Sequence, residues 1–343
     1  MRRFARDGRR AGLVLACAMA LAALAPARAD KPLPQGDTGI ASRYPADAGI
    51  ARDPAVVFAE DFEVPAVQAL RRRWNQVNRK ITSLSDDVPA GSAGAKSMLF
   101  THVGGASNGG HLYKGFKSGF DQLFLRFYVK FAPDCGQIHH FVHLGGYHPP
   151  TPWPQGGAGT RPKGHERFST GIEPFGRAWK WDFYTYWMEM RGSPPRGQTW
   201  GNSFLGDGKP EVRRGQWICA ELMMKLNDVG QSNGEQAMWI DGKLVGHLGK
   251  GFPKGKWVFD KFLPGQGGGG IRWNDRKRGR EGFRVRAGGE PFEGFRWRNQ
   301  PKLKLNFLWL LVYITKSPKG QVSKIWFDDI VLARKYVGPL KSK

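Results

Sequence analysis

The chain has 343 residues and a formal net charge of +24. This length suits one large β domain as well as two smaller ones. The charge indicates an anionic partner, which could be nucleic acid, anionic lipid or an acidic polysaccharide, unless the surface is merely basic and soluble. Beyond the first thirty residues no apolar stretch is long enough for a transmembrane helix, so the sequence predicts no membrane span.

The first residues have the pattern of an export signal. Five arginines among the first ten residues precede an apolar run over 11–24, and Ala27-Arg28-Ala29 has the form of a cleavage site. We therefore predict a signal peptide over 1–29 and a secreted or periplasmic protein. An exported protein rarely meets nucleic acid as its proper substrate, so the basic charge favours an acidic polysaccharide as partner.

The remaining chain is predicted to be one β domain after a short arm. Residues 30–54 are rich in Pro, Gly and Ala and read as a linker or a loosely attached arm. Residues 55–340 show alternating apolar patterns, turn signals such as Asn233-Gly234 and Asp241-Gly242, and no sustained helical period. Predicted strands cover 56–63, 120–130, 139–144, 168–173, 180–190, 216–227, 235–245, 303–315 and 322–333. This pattern predicts an all-β fold, an antiparallel β-sandwich whose acidic first and last strands lie side by side.

Two insertions interrupt the strands. Residues 145–164 are rich in Pro, Gly and aromatic residues, and residues 249–302 contain a run of four glycines followed by many arginines. Trp273, Phe283, Phe295 and Trp297 are interleaved with that basic run. Long irregular loops are usually functional or disordered. We expect a functional rim, in which aromatic faces stack on sugar rings and guanidinium groups pair with carboxylates; a disordered basic loop is the alternative.

Two cysteines remain after the predicted signal peptide, Cys135 and Cys219. In an oxidising compartment they could form a disulfide, and two separate buried thiols are the alternative.

The strand over 217–227 presents a row of polar and aromatic residues on one face. Apolar residues occupy alternate positions, while the other face carries Trp217, Glu221, Lys225 and Asn227. Such a row suits the wall of a glycan cleft on a concave sheet. The alternative is an exposed face with cross-strand pairs.

Two other strands carry residues suited to proton transfer. Tyr184 and Tyr186 share one face and can place two phenols beside one substrate. In the segment 139–143, His139 and His143 are predicted to share a face and His140 to point to the other. A His there could act as a base or bind a carboxylate, or could simply be packed within a sheet; a zinc site would need a third ligand that the local sequence does not supply.

A basic cleft across several strands is a further prediction. Lys302, Lys304 and Asn306 share a face on the strand over 303–315 and could complete such a cleft with a second set of residues, namely Arg126, Tyr128 and Lys130. A glycoside hydrolase would need two carboxylates flanking the scissile bond. Glu173, Glu189 and Glu221 occur singly, and the Glu-x-Asp-x-x-Glu pattern of sandwich glucanases is absent, so hydrolysis through Glu221 is an alternative without its usual signature.

Several short motifs resemble those of secreted concanavalin-A-like jelly rolls, and within them polysaccharide lyases of families fourteen and twenty. The resemblance covers roughly 56–339. It rests on Glu60-Asp61-Phe62-Glu63, Trp217-x-Cys219-x-Glu221 with Lys225-Leu226-Asn227, Asn233-Gly234-Glu235 before Trp239-Ile240-Asp241-Gly242, and Phe327-Asp328-Asp329-Ile330 before Tyr336-Val337-Gly338-Pro339.

The resemblance implies cleavage of a uronate polysaccharide by β-elimination. Tyr184-Thr185-Tyr186 resembles a Tyr-x-Tyr pair of family fourteen and supplies acid and base candidates, while Ser169-Thr170-Gly171 lacks the arginine of the expected Ser-x-Arg pair. Arg126, His139 and His143 are then the candidates for neutralising the substrate carboxylate. A non-catalytic glycan-binding module of the same fold is the alternative.

Relatives of this kind often hold a structural Ca²⁺ between the first and last strands. Glu63 with Asp328 or Asp329 matches that position, and oxygen ligands suit calcium. We expect no organic cofactor and a monomer.

Overall fold

The computed structural model describes residues 32–193, 198–265 and 289–341. The predicted signal peptide over 1–29 lies outside these residues. Within them the chain is dominated by strands: β1 Val56–Glu60, β2 Gln76–Val77, β3 Thr82–Ser85, β4 Ser97–Val103, β5 Gly109–Phe120, β6 Gln122–Phe131, β7 Val142–Tyr147, β8 Arg167–Phe175, β9 Lys180–Tyr186, β10 Trp217–Lys225, β11 Glu235–Ile240, β12 Lys243–Leu248, β13 Lys254–Val258, β14 Lys261–Pro264, β15 Glu290–Pro291, β16 Leu305–Tyr313 and β17 Val322–Ala333.

The helices of the described chain are all short 3₁₀ turns. They span Gly36–Thr38, Ile40–Arg43, Pro45–Asp47, Ile50–Arg52, Val67–Arg72 and Gly206–Gly208. Among the residues described, no helix has the length and apolar character needed to cross a membrane.

Two antiparallel sheets form the body of the domain. The large sheet has the order β12-β11-β10-β6-β17-β4-β3, with β1 paired to β17, and the six-stranded sheet has the order β2-β5-β16-β7-β8-β9. A small third sheet has the order β14-β13-β15. The predicted all-β antiparallel sandwich is therefore confirmed.

The core lies between the large and six-stranded sheets, because each presents one apolar row. On β6, Leu123, Leu125, Phe127 and Val129 are fully buried, as their alternation predicted. They join one cluster with residues such as Leu308 of β16. Each such side chain contributes about 1.5–3 kcal/mol by leaving water, which fixes the two sheets face to face.

The first and last strands are neighbours, as predicted. β1 runs antiparallel to β17, with Val56 opposite Ala333 and Glu60 opposite Ile330. The ladder between β17 and β6 shifts register between Asp328 and Val331, and Asp329 has a φ of 44°. This irregularity lets both adjacent aspartates be buried on one strand.

Residues 34–54, which we call the N-terminal strap, are packed rather than loosely attached. Ile40, Ala41 and Ile50 are buried in a second apolar cluster with Val331 and other residues of the last strand and C-terminal segment. The Ala41 N–H donates to the Val337 carbonyl at 2.9 Å. The expectation of a loose arm is wrong, because a few apolar side chains in an otherwise Pro- and Gly-rich segment suffice to attach it.

The insertion over 249–302 is only partly a loop. Its described part contains β13, β14 and β15. Phe295 and Trp297 are fully buried in the main core, so the expectation that they border a functional rim is wrong. Trp273, Phe283 and the arginines between residues 266 and 288 lie outside the described residues. Cys135 and Cys219 are buried free thiols, without a disulfide.

Candidate functional site

A groove runs across the face of the six-stranded sheet that points away from the core. Alternation places one row of each strand in it, because neighbouring positions on the same strand face the core. The insertion over 145–164 contributes its edge through residues 155–158. Polar and aromatic side chains from five strands and the segment before β7 line the groove, among them His111, Phe307, Trp309, Tyr313, His139, His140, His143, Tyr147, Arg167, Ser169, Glu173, Tyr184 and Tyr186.

The two tyrosines predicted as a proton-transfer pair lie together in this groove. Their phenol oxygens are 3.4 Å apart, within hydrogen-bond reach. The position opposite Tyr184 on β8 is Gly171, where an added Cβ would stand 3.0 Å from the His143 ring. Because Gly171 has no side chain, the Tyr184 and His143 rings both fit beside it. Burial raises the pKa of Tyr184 well above its usual range, so its phenol stays protonated and can donate.

Three histidines, rather than the two predicted, border the same place. The His140 ring lies 4.6 Å from the Tyr184 ring and stacks on Tyr313, with ring centroids 5.8 Å apart. The prediction that His140 faces away is wrong, because β7 begins only at Val142 and strict alternation does not apply before it. The sequence shows all three histidines, but it does not show at which residue β7 begins.

His139 and His143 differ in environment. His143 is buried, and burial lowers its pKa to about 3, so its imidazole is neutral at neutral pH. Its ring centroid is 5.7 Å from that of Trp309. His139 is exposed at the other end, where its Nδ1 lies 2.9 Å from the Thr315 hydroxyl. His139 therefore borders the groove, while His143 forms part of its wall.

Glu173 of β8 connects the histidines. Its Oε1 is 3.0 Å from His140 Nδ1 and 3.9 Å from His143 Nε2. Among the described residues that line the groove, Glu173 is the only carboxylate. Burial raises its pKa, and the hydrogen bond with His140 opposes that rise.

Arg167 is the functional candidate that the sequence reasoning missed. It is the only guanidinium or ammonium group among the described residues lining the groove, and it lies 5.4 Å over the Tyr186 ring. One of its terminal nitrogens donates to the Gly157 carbonyl at 3.0 Å. The Ser-x-Arg pattern places the arginine two residues after the serine. Here Arg167 lies two residues before Ser169, so it shares the same face of β8, and this reversed order is visible in the sequence.

Among the described residues, the cleft predicted around Arg126, Tyr128 and Lys130 does not form. Arg126, Tyr128 and Glu221 project from its outer face, and the N-terminal strap and C-terminal segment cover them. Arg126 is fully buried and pairs with Asp47. The Tyr128 hydroxyl accepts the Leu340 N–H at 2.8 Å. Because β6 and β16 belong to different sheets, Arg126 and Asn306 cannot share one cleft.

The other predicted substrate-binding residues have structural partners. Lys130 and Trp217 both contact Asp87, at 2.5 and 2.9 Å. Lys225 pairs with Glu235 at 2.7 Å and Lys304 with Asp121 at 2.6 Å. The remaining two are buried amides: Asn227 accepts the Trp297 N–H at 2.8 Å, and Asn306 accepts the Tyr147 N–H at 2.9 Å. None of these six lines the groove described here.

The acidic seam between β1 and β17 has some of the features of a calcium site. Oδ2 atoms of Asp328 and Asp329 are buried without a hydrogen-bond partner, which suits a missing proton or cation. Burial raises the pKa of both, and the negative charge of Asp329 raises that of Asp328 further. Glu63 adds to the negative charge near Asp328, but its Oε1 accepts the backbone N–H groups of Ala95 and Lys96. In the described chain no three His, Cys, Asp or Glu side chains are grouped to hold a metal, so calcium stays a prediction.

Comparisons with known proteins reveal likeness in structure alone. No protein-family model and no curated protein matches the chain. Among solved structures, alginate lyase vAL-1 from Chlorella virus is 13% identical, covers 82% of this chain and 100% of its own, and has a TM-score of 0.52.

Two further solved structures are similar. The marine PL-14 alginate lyase from Aplysia kurodai has the same identity, 13%, covers 82% of this chain and 99% of its own, and has a TM-score of 0.52. An endo-β-1,4-glucuronan lyase from the fungus Trichoderma reesei, with 13% identity, coverages of 82% and 96% and a TM-score of 0.45, is too distant to support a conclusion. The chain therefore has the β-sandwich fold of polysaccharide lyases.

Proposed function

We propose that the protein is a lyase that cleaves a uronate-containing polysaccharide by β-elimination in the groove of the six-stranded sheet. One observation carries the proposal: a hydrogen-bonded phenol pair lies beside a carboxylate-linked imidazole and near a guanidinium, in one aromatic-walled groove. The lyase fold and the strongly basic chain support it.

Each group has a role that its chemistry suits. Arg167 pairs with the uronate carboxylate and so stabilises the enolate-like charge that develops when the neighbouring C5–H bond breaks. His140 accepts that proton, and Tyr184 donates its phenol proton to the glycosidic oxygen as the C4–O bond breaks. The electron pair of the C5–H bond becomes the C4=C5 double bond, and that of the C4–O bond leaves with the oxygen. Tyr186, within hydrogen-bond reach of Tyr184, orients its phenol.

The hydrolase alternative lacks its second carboxylate. A glycosidase of the usual kind needs two carboxyl groups on either side of the bond. Glu173 lines the groove, whereas Glu221 is buried on the other sheet and Glu189 pairs with Arg296 at 2.9 Å. The described residues thus favour elimination over hydrolysis.

The test is to incubate the protein with alginate, glucuronan and pectate and to follow ultraviolet absorbance, since elimination creates an unsaturated, absorbing sugar. We expect product from at least one substrate and a roughly 10²–10⁴-fold loss of kcat in Tyr184→Phe, the range that acid–base groups supply. Tyr128→Phe, on the covered face of the large sheet, is the matched control and should keep its activity.

Two other results would indicate a different function. Reducing ends without the absorbing product would indicate a hydrolase. Retention on an acidic polysaccharide without any product, unchanged in Tyr184→Phe, would indicate a binding module. Export from the cytoplasm through the predicted signal at 1–29 is part of this proposal and would place the enzyme where such polysaccharides occur.

A further inference from the structure

Glu173 has an unusual setting for an acidic residue in a sugar-binding groove. It lies in the second half of β8 on the groove face, yet only 3% of its surface is exposed. A buried carboxylate is costly unless hydrogen bonds stabilise it. The hydrogen bonds of Glu173 therefore stabilise its buried carboxylate, and its partners indicate its role.

Those contacts favour one histidine over the other. The 3.0 Å distance from Oε1 to His140 Nδ1 is a hydrogen bond, whereas the 3.9 Å distance to His143 Nε2 is too long for one. The backbone N–H of Phe141, the residue after His140, also favours the charged form of this carboxylate and lowers its pKa. Glu173 thus holds both the ring of His140 and the chain beside it.

We propose that Glu173 is a positioning residue for the proposed elimination. Its carboxylate accepts the Nδ1–H of His140 and leaves Nε2 as the unprotonated nitrogen that receives the substrate proton. This role rests on the proposed function, and it selects His140 rather than His143 as the base. A hydrogen bond to one ring nitrogen fixes the tautomer of an imidazole and also stabilises the imidazolium that forms.

The groups around His140 make its dependence on Glu173 measurable. Those that face it are Glu173 of β8, Tyr184 of β9, Tyr313 of β16, His143 of β7 and the adjacent His139. The Tyr184 phenol and the buried His143 imidazole are neutral near pH 7. The nearby Asp182, opposite Glu173 on β9, is tied to Lys209 at 3.2 Å. Glu173 is thus the one carboxylate in contact with His140 among the described residues.

The experiment compares Glu173→Gln and Glu173→Ala with the native full-length chain on whichever polyuronate the native protein cleaves. Gln keeps an acceptor oxygen but not the charge. We expect kcat to fall about 10-fold in Gln and about 100-fold in Ala, with KM within about twofold, in the range known for groups that orient a reacting ligand. In Gln the acidic limb of the pH–rate profile should move to lower pH, because the imidazolium loses its counter-charge.

A second readout does not depend on activity. Nitrogen NMR of the imidazole should show His140 protonated at Nδ1 in the native protein and a mixture of tautomers in Glu173→Ala. The matched control is Glu189→Gln, whose ion pair with Arg296 lies outside the groove lining and whose loss should leave kinetics and tautomer unchanged.

The outcomes separate the two proposals. A native enzyme that forms the unsaturated product, with an acidic limb and a His140 tautomer that do not respond to Glu173, would overturn the positioning role alone. A native protein that forms no unsaturated product from any polyuronate would overturn the proposed function, and the positioning role with it. Thermal unfolding of each variant identifies a fall in kcat that merely reflects loss of folded protein.

Discussion

The carboxylate of Glu221 accepts the backbone N–H of Val337 at 2.8 Å, on the outer face of the large sheet. Its other oxygen accepts the N–H of Gly338 at 2.9 Å. With the Arg126–Asp47 pair, these bonds attach the C-terminal segment and the N-terminal strap to the sheet. The acidic and basic residues of this face therefore stabilise the fold, and the groove lies on the other sheet.

Glu221 should make stability depend on pH. Burial raises its pKa from 4.5 to about 7, so the folded state holds a proton that the unfolded chain releases. The contribution of this proton to the free energy of unfolding is complete below pH 4.5 and is lost as the pH rises through 7. It amounts to about 3 kcal/mol in total.

In Glu221→Gln that pH dependence should disappear, because an amide does not titrate. Urea unfolding at pH 5 and pH 8 measures this pH dependence. The free energy of unfolding of the variant, minus that of the native chain, should rise by about 3 kcal/mol from pH 5 to pH 8. Activity should survive, since Glu221 lies outside the groove. Parallel pH profiles for the two proteins would contradict the raised pKa.

Arg167 should determine the affinity for charged substrate. Arg167→Ala removes the only guanidinium among the described groove residues, and we expect KM to rise about 10-fold or more and kcat to fall as well, since the carboxylate is bound in both ground and transition states. Arg167→Lys keeps the charge without the planar fork and should recover only part of this.

The control for Arg167 is Arg191→Ala. Arg191 is partly exposed and pairs with Glu293 at 2.5 Å, away from the groove lining. Initial rates at low and high salt add a second check, because only the loss of a substrate-binding charge should weaken the salt dependence of kcat/KM. Equal effects of the two substitutions would exclude a special role for Arg167.

Trp200 should extend the groove as a stacking surface for a sugar ring. It is 43% exposed and lines the same end of the groove as Tyr313 and Phe175. An aromatic face exposed in a groove can stack on the apolar face of a sugar ring, and we expect a contribution of about 0.5–1.5 kcal/mol, as for a pair of aromatic rings.

The matched comparison is Trp200→Ala with Trp153→Ala. Trp153 is 53% exposed and does not line the groove. We expect KM for long oligosaccharides to rise roughly threefold to tenfold in the first variant, with little change for the shortest substrates, and no change in the second. A similar change in both would show that the ring does not contact substrate.

The acidic seam should respond to calcium in a pH-dependent way. The pKa values of Asp328 and Asp329 are raised in the fold, so without metal stability is greatest when both hold protons and falls as the pH rises through those raised values. Calcium competes with protons for the same oxygens, and at 100 times its Kd it would add about 2.7 kcal/mol.

Thermal unfolding therefore distinguishes a metal from protons at this seam. We expect Ca²⁺ to raise Tm at pH 8 more than at pH 5, and Asp328→Asn to remove that rise. Mg²⁺ at equal concentration is the control, since it prefers a smaller and more regular site. A Tm at pH 8 indifferent to Ca²⁺ would contradict the calcium prediction and leave protons as the partners of these carboxylates.

The sequence by itself determined the fold class and the placement of Tyr184 beside Tyr186. Alternation along β6 and β10 assigned each residue to the correct face, because a strand has a strict period of two. The acidic first and last strands indicated adjacent termini, and Tyr184 and Tyr186 share a face for the same reason. These features are local, so they can be read from neighbouring residues.

Only the tertiary structure decided which outward face is covered and which is open. Arg126, Tyr128 and Glu221 resemble a binding surface in sequence, yet the strap and the C-terminal segment bury them through contacts between residues up to about three hundred positions apart. His140 and Arg167 belong to the groove because of where β7 begins and how β8 pairs with β7. Such long-range pairing depends on the free energy of the whole packed domain, which no local pattern records.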